Sequence, residues 1–117
     1  MNRDYALRSI FLGWHDLINQ FYDKVDEWNL HNPENMITVH SVKQKWGDLR
    51  ISFSPSVKEV YDTYRKINKK SNTICEMCGN TGKYTDMYYN GEHWMYVLCD
   101  SHNKMHPIDY MQTKTYE

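Results

Sequence analysis

The sequence predicts an α+β fold in which a long helix, a β-hairpin and a second helix precede a small cysteine-containing module. Three observations lead to this prediction. A stretch near the N-terminus has helical periodicity, two stretches between residues 37 and 53 alternate like strands, and a Cys-x-x-Cys pair is followed by Cys-x-x-His. With 117 residues, 40% of them apolar, the chain has room for one domain with a small core.

The N-terminal stretch has the pattern of a single amphipathic helix. Its apolar residues recur at steps of three and four, which places them on one helix face. They are Leu7, Ile10, Phe11, Trp14, Leu17, Ile18, Phe21, Val25 and Trp28. Pro33 predicts the end of this helix, because proline disfavours helical backbone in the residue before it.

A β-hairpin is expected next. Residues 37–42 and 49–53 alternate between apolar and polar side chains and are rich in β-branched types. Gly47 lies between them and permits the chain to reverse. The residues expected to face the core are Leu49, Ile51 and Phe53.

The second helix is expected to begin near Ser56 and to end before the first cysteine. Ser56 and Glu59 have the spacing of a capping box, in which each side chain bonds a backbone N–H of the other. The predicted buried stripe consists of Val57, Val60, Tyr61, Tyr64 and Ile67.

Two paired motifs predict a metal site. A Cys-x-x-Cys pair directs both sulfurs at one centre, and structural zinc takes four cysteine or histidine ligands tetrahedrally. Cys75, Cys78, Cys99 and His102 are therefore predicted to bind one structural zinc ion. The competing interpretation, free cysteines beside a surface histidine, requires both motifs to be coincidental. Catalytic zinc usually keeps an open position, which four such ligands would fill.

The segment between the motifs predicts a second hairpin. Asn90-Gly91 is a strong signal for a type I′ turn. Counting outwards from the turn pairs Tyr89 with Glu92, Met87 with Trp94, and Thr85 with Tyr96. Met87, Trp94 and Tyr96 would then share one face, and Tyr88, His93 and Val97 the other.

A short helix is expected from Asn103 to Pro107, and His106 is expected at the surface. A cysteine turn, a hairpin and then a helix that supplies the last two ligands are typical of a treble-clef finger. We therefore predict an α+β body over 1–72 and a treble-clef-like zinc module over 73–117, packed together as one domain.

The composition favours a cytoplasmic protein. No run of about 18 apolar residues is present, so no membrane-spanning segment is expected. Three cysteines are an odd number, which disfavours a secreted disulfide framework. The first residues lead into an amphipathic segment rather than a signal-peptide core.

The net charge of −1 is unevenly distributed. Residues 1–34 and 76–117 each contain three basic and six acidic side chains, whereas residues 35–75 contain eight basic and three acidic ones. A basic block therefore lies between two acidic ones. The candidate binding residues in or beside it are Lys43, Lys45, Trp46, Arg50, Arg65, Lys66, Lys69 and Lys70.

Residues 37–102 resemble a group of small, largely uncharacterised phage and bacterial proteins. The motifs that carry this resemblance are K-W-G-D-L-R at 45–50, C-E-M-C-G at 75–79 and L-C-D-S-H at 98–102. The group has K-F-G-x-L-R, C-E-x-C-G and W-x-x-x-L-C-x-x-H, so Trp46 replaces the usual phenylalanine. The resemblance implies a zinc-binding, phage-type protein in the host cytoplasm, with no established activity.

Three functions fit these observations. The first is an interaction module that binds and modulates a host protein, since segregated charge and many aromatic residues suit a partner surface. The second is a nucleic-acid-binding protein that uses the basic region, with Trp46 or Tyr64 stacking on a base. The third is a nuclease of the HNH type, but this hairpin offers only His93 and lacks the expected Asp-His pair. No catalytic constellation is evident, so we expect a protein that is not an enzyme.

Overall fold

A computed structural model describes residues 1–104 and 106–107 of the chain. The elements are α1 (Arg3–Ser9), a 3₁₀ turn (Leu12–Trp14), α2 (His15–His31), β1 (Thr38–Lys45), β2 (Asp48–Ser54), α3 (Lys58–Ser71), β3 (Lys83–Tyr89) and β4 (Glu92–Leu98). The strands form two separate antiparallel hairpins, β1–β2 and β3–β4. The predicted α+β class is confirmed. Among the described residues, no helix combines the length and apolarity needed to cross a membrane.

The prediction of one long N-terminal helix is wrong, because the chain breaks between α1 and α2. At the break, Gly13 lies against the cysteine turn, where its N–H donates to the Glu76 carbonyl at 2.7 Å. A Cβ atom on Gly13 would lie 2.0 Å from the Cys75 carbonyl oxygen. The Trp14 indole N–H donates to the Ile74 carbonyl at 2.8 Å. The backbone of Gly13 therefore bonds the cysteine turn instead of a carbonyl group of a continuous helix. The apolar residues before and after the break still pack into one core.

The first predicted hairpin is confirmed, and its pairing contains one irregularity. β1 and β2 pair from Thr38↔Ser54 to Lys45↔Asp48, with a register shift between Val39 and Ser41. Trp46 and Gly47 form the two-residue turn and both have positive φ. The core-facing assignment also holds, since Leu49 and Ile51 are buried and Phe53 is half-buried.

Helix α3 is confirmed, but its predicted cap is wrong. The N-cap is Val57 in an extended conformation, with no side-chain hydrogen bond. Ser56 therefore lies one residue too early to cap the helix. Val60 and Ile67 are buried as expected, whereas Tyr61 is 44% exposed. Tyr61 follows Val60 by one position, which turns it about 100° around the helix and away from the core.

The main core is formed between the helices and the inner face of β1–β2. Its buried residues are Ala6, Ile10, Trp14, Leu17, Ile18, Phe21, Tyr22, Val25, Ile37, Val39, Val42, Leu49, Ile51, Val60, Ile67 and Val97. Val97 belongs to β4, so the second hairpin contributes to this core. A smaller cluster of Cys75, Met77, Tyr96 and Leu98 lies under the cysteine turn, and Phe11 packs against it.

The second hairpin has the predicted register throughout. Tyr89 pairs with Glu92, Met87 with Trp94, and Thr85 with Tyr96. Asn90 and Gly91 have φ values of 52° and 79°, as the predicted turn requires.

The chain after Cys99 differs from the treble-clef prediction. Asn103 and Lys104 lie in bends rather than in a helix, and Met105 and residues 108–117 lie outside the described residues. His106 is 4% exposed rather than at the surface, and its Nε2 lies 2.9 Å from the Tyr96 hydroxyl. Its ring stacks on Tyr89 at 4.4 Å between centroids. These contacts place His106 against β3–β4.

Candidate metal centre

The first two candidate ligands project from a tight turn. The Gly79 N–H donates to the Cys75 carbonyl at 2.9 Å, and the Cys75 N–H donates to the Asn80 carbonyl at 2.7 Å. Gly79 has a φ of 83°, which glycine adopts without strain. The other two ligands follow strand β4, where the His102 N–H donates to the Cys99 carbonyl at 3.0 Å.

The four predicted ligands lie close together in the structure. The ligand atoms of Cys75, Cys78, Cys99 and His102 all lie within 4.8 Å of one another, so the group can hold one metal ion. The Cys78 and Cys99 sulfurs are 3.6 Å apart. His102 Nδ1 lies 3.2 Å from the Cys99 sulfur and 3.9 Å from the Cys75 sulfur. A tetrahedral zinc site with ordinary bond lengths has edges of about 3.5 to 3.8 Å, and the three distances lie on both sides of this range.

The two cysteines with altered acidity sit in different surroundings. Burial raises the pKa of Cys75 to about 11, although backbone N–H groups of Cys99, Met77 and Cys78 point at its sulfur and favour the thiolate. Burial also acts on Cys99, but hydrogen bonds from His102 and Cys78 and the Ser101 N–H outweigh it and lower the pKa to about 7. Bound metal requires thiolates, so these backbone N–H groups are positioned to stabilise the ligating form.

Glu76, inside the Cys-x-x-Cys pair, joins this turn to the second hairpin. Its side chain is 1% exposed and accepts a hydrogen bond from the Val97 N–H at 2.7 Å. Its backbone N–H donates to the Val97 carbonyl at 2.9 Å. Burial raises the pKa of this carboxyl group to about 7. No pattern in the sequence indicated this role, because an acidic residue in a cysteine turn is expected in solvent.

Gln44 joins the two hairpins. Its amide group donates to the Glu76 carboxylate at 3.1 Å and to the Met95 carbonyl at 2.8 Å. One side chain of β1 therefore contacts both the residue between two candidate ligands and the backbone of β4. The candidate metal centre and the second hairpin are thus connected to β1 through two hydrogen-bonded side chains.

An open cleft of about 550 Å³ lies between the two hairpins. It is lined by Gln44, Lys45, Trp46, Glu92, His93, Trp94 and Met95, and we call it the aromatic cleft. Next to Trp46, Gly47 packs on the Tyr84 ring, since a Cβ atom on Gly47 would lie 2.9 Å from two ring carbons.

Aromatic rings follow one another along one wall of the aromatic cleft. The Trp46 and His93 ring centroids are 5.4 Å apart. Tyr88 stacks on His93 at 5.1 Å with an interplanar angle of 22°. His93 Nε2 lies 2.8 Å from the Asp86 carboxylate, which orients the imidazole ring. The prediction that His93 packs on the hairpin is thus confirmed, and Trp46 comes from the other hairpin to meet it.

The predicted binding residues fall on the first hairpin and on α3. Lys43 lies opposite Arg50 in the first hairpin, Arg50 pairs with Asp48 at 2.7 Å, and Lys45 at the end of β1 lines the aromatic cleft. The other basic candidates are on α3, and three of them line a shallow depression of about 340 Å³. These three are Arg65, Lys66 and Lys69.

Two aromatic side chains were candidates for base stacking, and their surroundings differ. Trp46 is 53% exposed beside the aromatic cleft. Tyr64 is half-buried in the core, close to Phe21 and Phe53, and its hydroxyl donates to the Leu49 carbonyl. The role of Tyr64 is therefore structural.

Comparisons of the chain with family models, with curated proteins and with solved structures found no match. The resemblance to phage and bacterial proteins therefore stays a prediction.

Proposed function

We propose that the metal ion of the Cys₃His group is zinc and that its role is structural. Three sulfurs and one nitrogen are a standard donor set for this ion, and the interatomic distances suit its tetrahedral bond lengths. Four such ligands complete the coordination sphere. The ion would therefore hold the second hairpin in place rather than activate a water molecule.

We further propose that the protein is an interaction module that binds and modulates a protein partner, such as a protein of a phage host, through the aromatic cleft. The backbone at Trp46 carries this proposal. Trp46 has a φ of 54°, a conformation that bulky side chains rarely adopt. The second hairpin places Asn90, a residue suited to it, at the same turn position. Strain of this kind concentrates at binding sites, where the side chain serves a purpose other than stability.

The composition around the aromatic cleft suits a protein partner. Trp and Tyr residues anchor protein interfaces, and Trp46, Tyr84 and Tyr88 are 53%, 50% and 78% exposed. Lys45 and Glu92 both line the aromatic cleft, and Asp86 is hydrogen-bonded to His93 on one of its walls. The aromatic cleft therefore lacks the excess of cations that binding to phosphate groups requires, which favours a protein partner over nucleic acid.

Trp46→Asn tests the proposed binding surface, because asparagine accepts the turn conformation. We expect a partner retained from host lysate by the wild-type protein, and by a Tyr5→Ala control on α1, to be lost by Trp46→Asn. The metal content should be equal in all three proteins. Retention of the same partner by Trp46→Asn would refute the proposal.

Nucleic-acid binding by α3 is the second candidate. Arg65, Lys66 and Lys69 are exposed on one side of this helix, and none forms an ion pair with another residue in the described part of the chain. Binding to DNA or RNA that weakens steeply between 50 and 200 mM salt, at about the slopes known for phosphate contacts, would support it. No retention on either nucleic acid at low salt would reject it.

Nuclease activity of the HNH type has less support. His102 Nδ1 lies 3.2 Å from the Cys99 sulfur, which suits a ligand of the proposed structural ion. His93 is bonded to Asp86 on the hairpin. The expectation that the protein is not an enzyme stays a prediction.

A further inference from the structure

We infer that the outer edge of β3 binds an extended segment of the partner protein, which adds a third strand to the β3–β4 hairpin. This inference rests on the proposed function and names the part of the partner that is recognised. It is carried by a difference between β3 and the other three strands in how their outward backbone groups are bonded.

The register of β3–β4 determines which backbone groups of β3 point outwards. In a hairpin with a two-residue turn, the residues that flank the turn form a hydrogen-bonded pair, and bonded and non-bonded pairs then alternate. Tyr89 and Glu92 flank the turn. The N–H and C=O groups of Tyr84, Asp86 and Tyr88 therefore point away from β4, at the outer edge of the hairpin.

The other three strands have outward carbonyl groups that are bonded by another part of the chain. These carbonyls belong to Val39 on β1, to Leu49 on β2, and to Met95 and Val97 on β4. Their donors are, in the same order, the Met1 amino group, the Tyr64 hydroxyl, the Gln44 side chain and the Glu76 N–H. Three of the four strand edges are thus at least partly covered.

The edge of β3 has no such cover in the part of the chain that the structure describes. Within residues 1–104 and 106–107, no hydrogen bond joins the backbone of Tyr84, Asp86 or Tyr88 to a segment outside the hairpin. All three residues are exposed. β3 also contains no proline and no bulge, two features that keep natural strand edges from pairing. A row of open N–H and C=O groups is a template for an added strand.

The charge at the centre of this edge favours a different protein over a second copy of this chain. An antiparallel pair of β3 strands that uses all three outward residues would place two Asp86 side chains opposite each other, and like charges in that position are destabilising. Tyr84 and Tyr88 lie two residues before and after Asp86, on the same face, and are 50% and 78% exposed. Since aromatic and β-branched side chains pair well across strands, we expect β-branched residues of the partner opposite these tyrosines.

The edge of β3 adjoins the aromatic cleft. The Tyr88 ring stacks on His93 in the wall of the cleft. The Tyr84 ring packs against Gly47, in the turn that carries Trp46. A strand added along β3 would therefore lie beside the cleft, so one partner can contact both surfaces.

The first test is amide hydrogen exchange in the full-length, metal-loaded protein. We expect the N–H groups of Tyr84, Asp86 and Tyr88 to exchange rapidly, and those of Thr85 and Met87, which are bonded to β4, to exchange slowly. Protection of the three outward groups at low protein concentration would show that the edge is already covered, and would overturn the inference. Protection that appears only at higher protein concentration would show that a second copy occupies the edge, and would overturn it too.

The second test adds a capped pentapeptide, Thr-Val-Thr-Val-Thr, N-methylated at both valines so that only one of its edges can pair. We expect this peptide to shift the amide signals of Tyr84, Asp86 and Tyr88 in two-dimensional NMR and to slow their exchange. The same peptide N-methylated at every residue is the control, because it keeps the side chains but has lost the N–H donors. Equal shifts with both peptides, or no shift with either, would overturn the inference.

Two variants separate the backbone of Asp86 from its side chain. Asp86→Pro and Asp86→Ala both remove the carboxylate, but only proline removes the outward N–H group and obstructs an added strand. We expect Asp86→Pro to weaken peptide binding at least about tenfold and Asp86→Ala to change it less than about twofold. Slow exchange at Thr85 and Met87 checks that the hairpin is intact. If proline disrupts it, the comparison of the two peptides decides instead.

The outcomes distinguish this inference from the proposed function. If an intact Asp86→Pro retains the partner that Trp46→Asn loses, the inference about β3 fails and the proposed function stands. If Trp46→Asn retains its partner, the proposed role of the aromatic cleft fails, whereas pairing at β3 is still decided by the two peptides.

Discussion

The two hairpins of this protein have the same turn and nearly the same length, but they are stabilised in different ways. β1–β2 places Val39, Val42, Leu49 and Ile51 in the main core under the helices. β3–β4 buries Tyr96, Val97 and Leu98 near the candidate metal centre, while Tyr88 near its turn is 78% exposed. The first hairpin is held by apolar packing, whereas the second has the four candidate ligands at its base. A small chain can thus build a second hairpin without a second large core, if a metal ion replaces it.

The largest effect is expected when the metal centre is broken. Cys99→Ser removes one ligand, and structural zinc sites contribute about 10 kcal/mol or more to folding. We expect this variant to lose the bound metal. The backbone amides of β3–β4 should lose their protection from hydrogen exchange, whereas those of β1–β2 should retain it. Metal analysis and hydrogen exchange measure both effects.

The control for this variant is Asp100→Asn, an exposed neighbour outside the ligand set. It should retain metal and protection in both hairpins. A full complement of metal in Cys99→Ser would contradict the ligand assignment. Equal loss of protection in β1–β2 would show that the two hairpins depend on the metal alike.

The next largest effect is expected at the contact between the helices and the cysteine turn. Gly13→Ala places a Cβ atom 2.0 Å from the Cys75 carbonyl oxygen, so one of the two segments must move. Overpacking of this kind costs about 3 kcal/mol. We expect the free energy of unfolding to fall by that amount in denaturant titrations, and the affinity for metal to fall with it.

Gly91→Ala is the matched control, because a Cβ there meets nothing within 4 Å and only the positive φ of 79° is strained. Its expected cost is about 1 kcal/mol. A Gly13→Ala variant as stable as the wild-type protein would show that the close approach is not required.

A smaller effect is expected from the link between the hairpins. Gln44→Ala removes the hydrogen bonds to Glu76 and to the Met95 carbonyl. The loss should be about 1 to 2 kcal/mol, with metal stoichiometry unchanged and partner binding weakened. Thermal unfolding and a binding assay measure these effects, and Gln20→Ala on the exposed side of α2 is the control. Unchanged partner binding would mean that the spacing of the hairpins does not depend on Gln44.

The smallest effect concerns the two turns themselves. Trp46→Asn makes the first turn match Asn90-Gly91 of the second and relieves the conformation at a φ of 54°. We expect stability to rise by up to about 1 kcal/mol, although partner binding is lost. A fall in stability of more than about 1 kcal/mol would instead show that Trp46 is retained for its packing on His93.

The sequence predicted best where the determinants are local. Asn90-Gly91 determines its turn, and the turn determines the register of every pair in β3–β4. The spacing of Cys75 and Cys78, and of Cys99 and His102, determined the four-residue group that the structure brings together. These features depend on neighbouring residues, so one sequence is enough to recognise them.

The predictions from the sequence were wrong where segments that are distant in the chain contact each other. The spacing of apolar residues does not reveal the helix break at Gly13, because Ile10 before it and Trp14 after it are buried in the same core. A glycine inside an amphipathic stretch was the one available signal. His106 was expected at the surface because the distant Tyr89 and Tyr96 that cover it cannot be inferred from its neighbours in the chain.

By itself the sequence determined the fold class, both hairpins, the register of the second and the four candidate ligands, since each follows from short-range spacing and backbone preference. Only the tertiary structure decided how the two hairpins face each other. Glu76 and Gln44 connect them through hydrogen bonds between residues 32 positions apart in the chain. The aromatic cleft exists because that contact brings Trp46 next to His93, and no pattern within either segment encodes such a distance.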